Sequence, residues 1–234
     1  MNDAPLAPET IVYVVLAGVI PSLIWLWFWL REDNLQPEPR WLLVATFFGG
    51  VLSVIAALFV EKFISDMVTD FPMRYLLWAA AEEILKFTAV AMIALHSRHN
   101  DEPIDAMIYC IVTALGFAAI ENTLFIFGPL TGGQIAQGIV TDSMRFIGAT
   151  LVHIVSSATV GFALGFTFYR GRIAKFIALI LGLSAAIALH AGFNLSIMNA
   201  TTIETLKTFT WVWAAVVILI ILFEEIKSIR PRRL

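Results

Sequence analysis

The chain has 234 residues, of which 59% are hydrophobic and 14% charged; its mean hydropathy is +0.85, whereas soluble globular domains are roughly 45–50% apolar and about 25% charged. This balance excludes a soluble globular protein. A formal net charge of -3 gives no reason to expect a nucleic-acid partner, and a single cysteine, Cys110, excludes a disulfide framework.

Apolar runs of roughly 20 residues, enough to cross a ~30 Å hydrocarbon core, follow one another with short polar breaks. The first covers 11–30. Asp3 and Glu9 precede it but no Lys or Arg does, whereas a secretory signal peptide starts with a basic stretch, so a retained anchor is expected. The second covers 41–60. The third, 73–95, carries Glu82-Glu83-Ile-Leu-Lys86. The fourth, 105–127, carries Phe117-Ala-Ala-Ile-Glu121-Asn122 and also Cys110, read as small packing filler. The uncharged stretch from Gly128 to Gly138, with four glycines and a proline, is expected to be a sizeable connection. The fifth run, 142–168, holds His153 among the small residues Ser156, Ser157, Ala158 and Gly161. The sixth, 175–197, holds His190-Ala-Gly-Phe-Asn194, and the seventh covers 209–226. The expected fold is all-α: one polytopic transmembrane bundle of about seven helices within a single domain, 1–234.

Seven helices put the termini on opposite sides. Lys and Arg in short loops favour the cytoplasm, and one side gathers Arg31, Arg40, Arg98, Arg170, Arg172, Lys175, Lys227, Arg230, Arg232 and Arg233. The other side has Lys62, Arg74 and Lys207, with Arg145 at the start of the fifth helix. The N-terminus is therefore expected outside and the C-terminus in the cytoplasm. Aromatic anchors are expected at both interfaces: Trp25, Trp27 and Trp29 at the inner end of the first helix, Trp211 and Trp213 at the outer end of the seventh. His96 and His99, beside Arg98, are expected in solvent.

Ionisable residues inside membrane helices are costly and usually face the bundle interior. Here they concentrate in the third to sixth helices, with no comparable interior charge in the first, second and seventh. Counting inward at ~1.5 Å per residue places Glu83 about 15 Å, Glu121 about 9 Å, His153 about 17 Å and His190 about 11 Å from the outer ends of their helices. Four helices of alternating direction thus bring their polar groups to one layer in the outer half of the membrane.

Neighbouring residues on a helix point about 100° apart, so Glu82 and Glu83 are expected to do different jobs. Lys86 is within ion-pair reach of either. His190 and Asn194, four apart, share a face from which both could donate hydrogen bonds to a developing oxyanion. Each of these features also has a purely structural alternative: a packing ion pair for Lys86, an interhelical clamp for His190 and Asn194, a structural imidazole for His153. Glu121-Asn122, in an otherwise apolar helix, needs a partner or a purpose.

The order of motifs resembles the PrsW family of membrane-embedded proteases, grouped with the CAAX prenyl endopeptidases and the Abi proteins. The resemblance rests on Glu82-Glu83-x-x-Lys86, Phe117-x-x-x-Glu121-Asn122, a histidine in the next helix and His190-x-x-x-Asn194, covering about 73–198. The prenyl branch differs, with an arginine one position later in the first motif and a histidine where Glu121 stands. The resemblance implies a glutamate-dependent peptidase that needs no metal or other cofactor. On it Glu82 is the base that activates water, Glu83 and Lys86 orient and tune it, and Glu121 is a second water-orienting residue. His190 and Asn194 form the oxyanion site, Asn122 has a supporting role, and His153 is a further catalytic candidate. The implied substrate is a single-span membrane protein such as an anti-sigma factor, cut near the outer face of the bacterial inner membrane.

Zinc is the cofactor alternative, because Glu82, Glu121, His153 and His190 are acceptable N/O ligands. The functional alternatives are a proton- or ion-coupled transporter, against which no motif repeats between two halves, and a non-enzymatic immunity or scaffold protein. A His-Glu-x-x-His zinc helix is missing.

Overall fold

A computed structural model describes residues 8–31, 36–198 and 200–230. Asp3, Arg232 and Arg233, used above, lie outside the described residues. Among the described residues there are helices and no strands. The helices are α1 (Pro8–Leu30), α2 (Arg40–Met67), α3 (Phe71–Val90, continued by a π-helical turn Ala91–Leu95), α4 (Asp105–Thr131), α5 (Ile135–Met144), α6 (Thr150–Phe166), α7 (Arg172–Ile197) and α8 (Thr202–Lys227). A π-helical turn, Arg145–Ala149, joins α5 to α6 in one continuous rod. Seven rods result, in the order expected. Six are long and apolar enough to cross a membrane, and α3, which carries Glu82, Glu83 and Lys86, is the seventh.

Local signals explain several ends. Asp70 caps α3 by accepting from Met73 N at 3.0 Å, with Pro72 in the first turn. Thr201 and Glu204 form a reciprocal capping box that starts α8.

The glycine-rich stretch 128–138 is not a long connection. α4 runs through Pro129 to Thr131, and only residues 132–134 separate it from α5, with Gly133 at φ 74° making the turn. A turn of this hand needs a residue that tolerates positive φ, and one glycine suffices. α2 also extends past residue 60 to Met67, which brings Glu61 into the helix.

α4 and the α5–α6 rod lie at the centre, and about two thirds of each apolar window is buried, against a third or less in the other spans. α1, α2 and α6 pack on α4, α7 packs on α6, and α3 closes the ring between α2 and α7. At the α2–α4 crossing the backbones touch: a Cβ on Gly50 would strike the Thr113 carbonyl, and one on Gly116 would strike the Phe47 carbonyl. Without a hydrophobic drive between helices in lipid, such close approach through small residues supplies the packing attraction. Large apolar side chains such as Phe59, Met92, Ile173 and Leu181 cover the outside, a surface suited to lipid rather than water.

Trp27 is exposed near the end of α1 with Arg31 over its ring, but Trp25, Trp29 and Trp213 do not divide between the two interfaces. Trp25 of α1 meets Trp213 of α8 with ring centroids 6.1 Å apart, so these two share one depth. Trp29 is buried against Phe223. They are packing residues where α1 runs beside α8, in a core that includes Leu115, Leu151, Ile154 and Val212. The Trp25 indole also donates to the Phe146 carbonyl at 3.2 Å, within the π-turn, where the altered ladder leaves carbonyls to be satisfied by other donors. His96 is exposed as expected. His99 is half-buried; its ring meets Trp41 edge-on and its carbonyl accepts from the Tyr109 hydroxyl.

Candidate active site

The four polar helices deliver their side chains to one connected network. On α3 the two adjacent glutamates part company, as the helical rotation requires. Glu83 points into the bundle and accepts three hydrogen bonds: from Lys86 Nζ at 2.5 Å, from His190 Nδ1 at 2.8 Å and from Ser157 Oγ at 3.1 Å. It is 1% exposed, and its oxygens are occupied. Glu82 turns toward the cavity. Its Oε2 is buried and has no hydrogen-bond partner; His190 Nε2 lies 3.7 Å away and His153 Nδ1 4.0 Å away.

Glu121 on α4 is held from α6 and from the π-turn. Its Oε2 accepts from His153 Nε2 at 2.6 Å and from Arg145 Nη2 at 2.6 Å. Arg145 Nε donates to Asn122 Oδ1 at 2.6 Å, and Asn122 Nδ2 passes a bond to Thr150 Oγ1 at 3.0 Å. One guanidinium thus bridges both residues of the Glu121-Asn122 pair, a two-acceptor role that its rigid fork suits.

The network assigns the imidazole tautomers. Lys86 Nζ stands 3.0 Å from His153 Nδ1 and can only donate, so His153 Nδ1 is the acceptor and its Nε2–H goes to Glu121. His190 donates from Nδ1 to Glu83, which leaves Nε2 as a lone pair facing Glu82. The two rings meet edge to face with centroids 4.8 Å apart. Lys86 also lies over the Phe117 ring, at 4.8 Å. Lys86 therefore engages Glu83 and Arg145 engages Glu121, while Glu82 is the carboxylate of the three with no direct cation partner.

These groups border a cavity of about 470 Å³, lined among others by Glu82, Glu121, Arg145, His153, His190 and Asn194. Asn194, one turn after His190, is half-buried on its wall. Glu83 and Lys86 lie behind that wall, and Asn122 is fully buried. All eight residues singled out from the sequence thus fall in this network or on this cavity.

Reading the sequence missed four residues here. Arg145 was expected near a helix start as a topology charge. It lies instead in the π-turn, eight residues before His153, where the one extra residue restores a common face that two plain α-turns would miss. Ser157 stood among the small residues, and nothing marked it as a donor to Glu83. Thr150 carried no signal. Glu61, in the extended part of α2, lines the cavity.

One carboxylate and two imidazoles, those of Glu82, His153 and His190, offer ligand atoms within 4.8 Å of one another. The donor types suit zinc, the bare Glu82 Oε2 is available, and His190 is oriented through Nδ1 by a carboxylate, as metal-bound histidines usually are. By donor chemistry the three residues fit a zinc-class ion.

Membrane-length helices that enclose a buried array of carboxylates, imidazoles and cations around a cavity mark a functional site inside the membrane. Comparison with known proteins specifies which kind. Residues 38–223 match the family model described as "PrsW family intramembrane metalloprotease". The chain belongs to the PrsW family of membrane proteases, and it is a multi-pass bacterial membrane protein. It is 24% identical over 184 residues to Protease PrsW of Bacillus subtilis (strain 168), covering 77% of this chain and 81% of that one. Protease PrsW of Clostridioides difficile (strain 630) is 27% identical over 191 residues, 78% of each chain. That of Geobacillus kaustophilus (strain HTA426) is 26% identical over 155 residues, 65% of each chain. No solved structure matches.

Proposed function

We propose that this protein hydrolyses a peptide bond of a single-span membrane protein near the extracytoplasmic face, using water activated by Glu82. The observation that carries the reading is the Glu82 Oε2 atom: buried, bordering the cavity, without a hydrogen-bond partner and 3.7 Å from the bare His190 Nε2. Glu83, by contrast, has both oxygens occupied, and Glu121 is paired with the Arg145 cation, so both are poorly placed to take a proton.

In this scheme a water between Glu82 and His190 gives its proton to Glu82 as its oxygen attacks the scissile carbonyl carbon. The C–N bond then breaks, and the proton held by Glu82 passes to the leaving nitrogen. Asn194 donates to the developing oxyanion. His190 accepts a hydrogen bond from the water's second hydrogen at its bare Nε2 and so orients the attack, and Glu83 at Nδ1 holds the imidazole in that tautomer. Glu121, held by Arg145, keeps His153 turned into the site. The resemblance to PrsW proteases makes a single-span anti-sigma factor the first substrate class to try.

A second reading is favoured by one specific observation, the proximity of Glu82, His153 and His190. These three would hold a zinc-class ion, which when bound supplies Lewis-acid activation of water. Chelation separates the two readings. With Glu82 as base, cleavage of a candidate substrate in liposomes survives chelator treatment, and purified protein carries far less than one zinc per chain by elemental analysis. Stoichiometric zinc, with activity lost on chelation and restored by zinc, would assign Glu82 as a ligand instead.

The orientation has its own test. With the N-terminus outside, the α4–α5 turn faces the extracytoplasmic side. A cysteine placed at the exposed Gln134 is expected to react with a membrane-impermeant maleimide added to intact cells. The native thiol, Cys110, is buried at 2% exposure and contributes little background. Labelling only after the cytoplasmic side is opened would invert the topology.

A further inference from the structure

The edge of the cavity formed by α2 and α3 takes no part in the chemistry above. α2 contributes Glu61 there, and α3 contributes Tyr75 and Trp78. Glu61 is half-buried. Among the described residues no hydrogen bond or cation engages its carboxylate, and the charged groups that face it across the cavity are the like-charged Glu121 and Glu82. The nearby cations are committed elsewhere: Arg145 to Glu121 and Asn122, Lys86 to Glu83 and His153. Lys62, next in the chain, is exposed and points about 100° away.

The aromatic side of this edge is firmly placed. The Trp78 indole donates to the Glu61 backbone carbonyl at 3.1 Å, which pins α3 to α2 at this residue. Tyr75 packs on Trp78 with ring centroids 4.9 Å apart, and Phe71 packs on Tyr75 at 5.0 Å. A carboxylate beside aromatic faces suits a long cationic side chain, whose stem lies on the rings while its head reaches the carboxylate. A neutral side chain would leave the half-buried carboxylate unpaired, and that penalty is what makes such a site selective.

We propose that Glu61, Tyr75 and Trp78 form a subsite for a lysine or arginine side chain of the substrate, close to the scissile bond. The proposal rests on the proteolytic reading above and adds a charge requirement to the substrate. Because one cavity holds both Glu61 and Glu82, the basic residue lies within a few positions of the bond that is cut.

The test uses the full chain in liposomes with synthetic single-span peptides. Each has an alanine/leucine membrane helix and an outer flank bearing Arg, Gln or Glu at successive positions. Binding is measured with the Glu82→Gln protein and cleavage with the wild type. At one or two positions the Arg peptides are expected to bind about tenfold or more tightly than the Gln peptides, the scale of a charged hydrogen bond. Glu61→Gln should level this preference and Glu61→Lys should invert it toward the Glu peptides. Glu61→Asp, which keeps the charge on a shorter stem, should retain the preference in weakened form. Equal binding of all three peptides, or a preference that survives Glu61→Gln, overturns the subsite even where the wild type cleaves. Preferential binding of the Arg peptides without any cleavage by wild type would leave the subsite standing and overturn the proteolytic reading.

Discussion

Glu82→Gln is expected to abolish measurable proteolysis, lowering the rate by about 10²–10⁴-fold, the usual contribution of a positioned base, while leaving the fold as stable as the wild type. Most active-site substitutions confuse these two effects. Here the geometry keeps them apart, because Glu82 Oε2 has no hydrogen-bond partner to lose and the carboxamide is nearly isosteric. The measurement is cleavage of a single-span substrate in liposomes, paired with thermal unfolding of the same preparations. A Glu82→Gln protein that retains most of its activity would remove Glu82 from the chemistry. The matched change Glu83→Gln behaves differently, since it weakens three hydrogen bonds at once, including the one that orients His190.

Lys86→Met should have the largest effect on stability. The Lys86–Glu83 pair is 2.5 Å long, with both side chains at most 1% exposed. Removing one partner of such a pair leaves the other charge buried without compensation, which costs about 3–5 kcal/mol. His153 Nδ1 loses its donor in the same step. Thermal unfolding in detergent should show a marked drop in midpoint, partly recovered by Lys86→Met combined with Glu83→Gln, where no bare carboxylate remains. If Lys86→Met unfolds at the wild-type temperature, the ion pair is not what holds α3 against α6 and α7. Recovery of stability in the double variant need not bring recovery of activity, because His190 would then lack the carboxylate acceptor that fixes its tautomer and orientation.

Much of this architecture can be read from the chain because the bilayer restricts the answers. Apolar runs must be helices of spanning length, so the order of seven rods and the location of costly charges followed from hydropathy alone. Depth arithmetic placed Glu83, Glu121, His153 and His190 in one layer, and the network joins them through contacts of 2.6 to 4.0 Å. The split between Glu82 and Glu83 follows from helical rotation.

Other features lay beyond such rules. The first expectation for the tryptophans used the preference of indoles for interfaces, but packing between α1 and α8 overrode it, and Trp29 is buried beside Phe223. The glycines of 128–138 suggested a loop, yet Gly128, Pro129 and Gly138 all lie within helices, since an apolar surrounding leaves the backbone little alternative to its own hydrogen bonds. Glu61 carries no hydropathic signal, because the apolar run ends at residue 60, one position before it, while the helix continues to Met67. Arg145 was misread because a π-turn leaves no mark in hydropathy, and plain α-helical spacing puts residues 145 and 153 on different faces.

That turn also governs which changes in chain length the protein can tolerate. Deleting one residue between Arg145 and Ala149 would return the segment to ordinary α-helix and keep Arg145 in phase with His153, because seven α-helical residues make nearly two full turns, whereas deleting one from the regular helix between Thr150 and Val152 would rotate everything before it by about 100°, carrying the guanidinium off Glu121 and the Phe146 carbonyl off Trp25. The three residues between α4 and α5 impose no such demand, since a turn there only has to reverse the chain. Insertions and deletions among relatives should therefore accumulate around residues 132–134, appear within 145–149 only as loss of the π-turn, and be purged from 150–153, where a single codon gained or lost would put the His153 imidazole out of phase with the arginine.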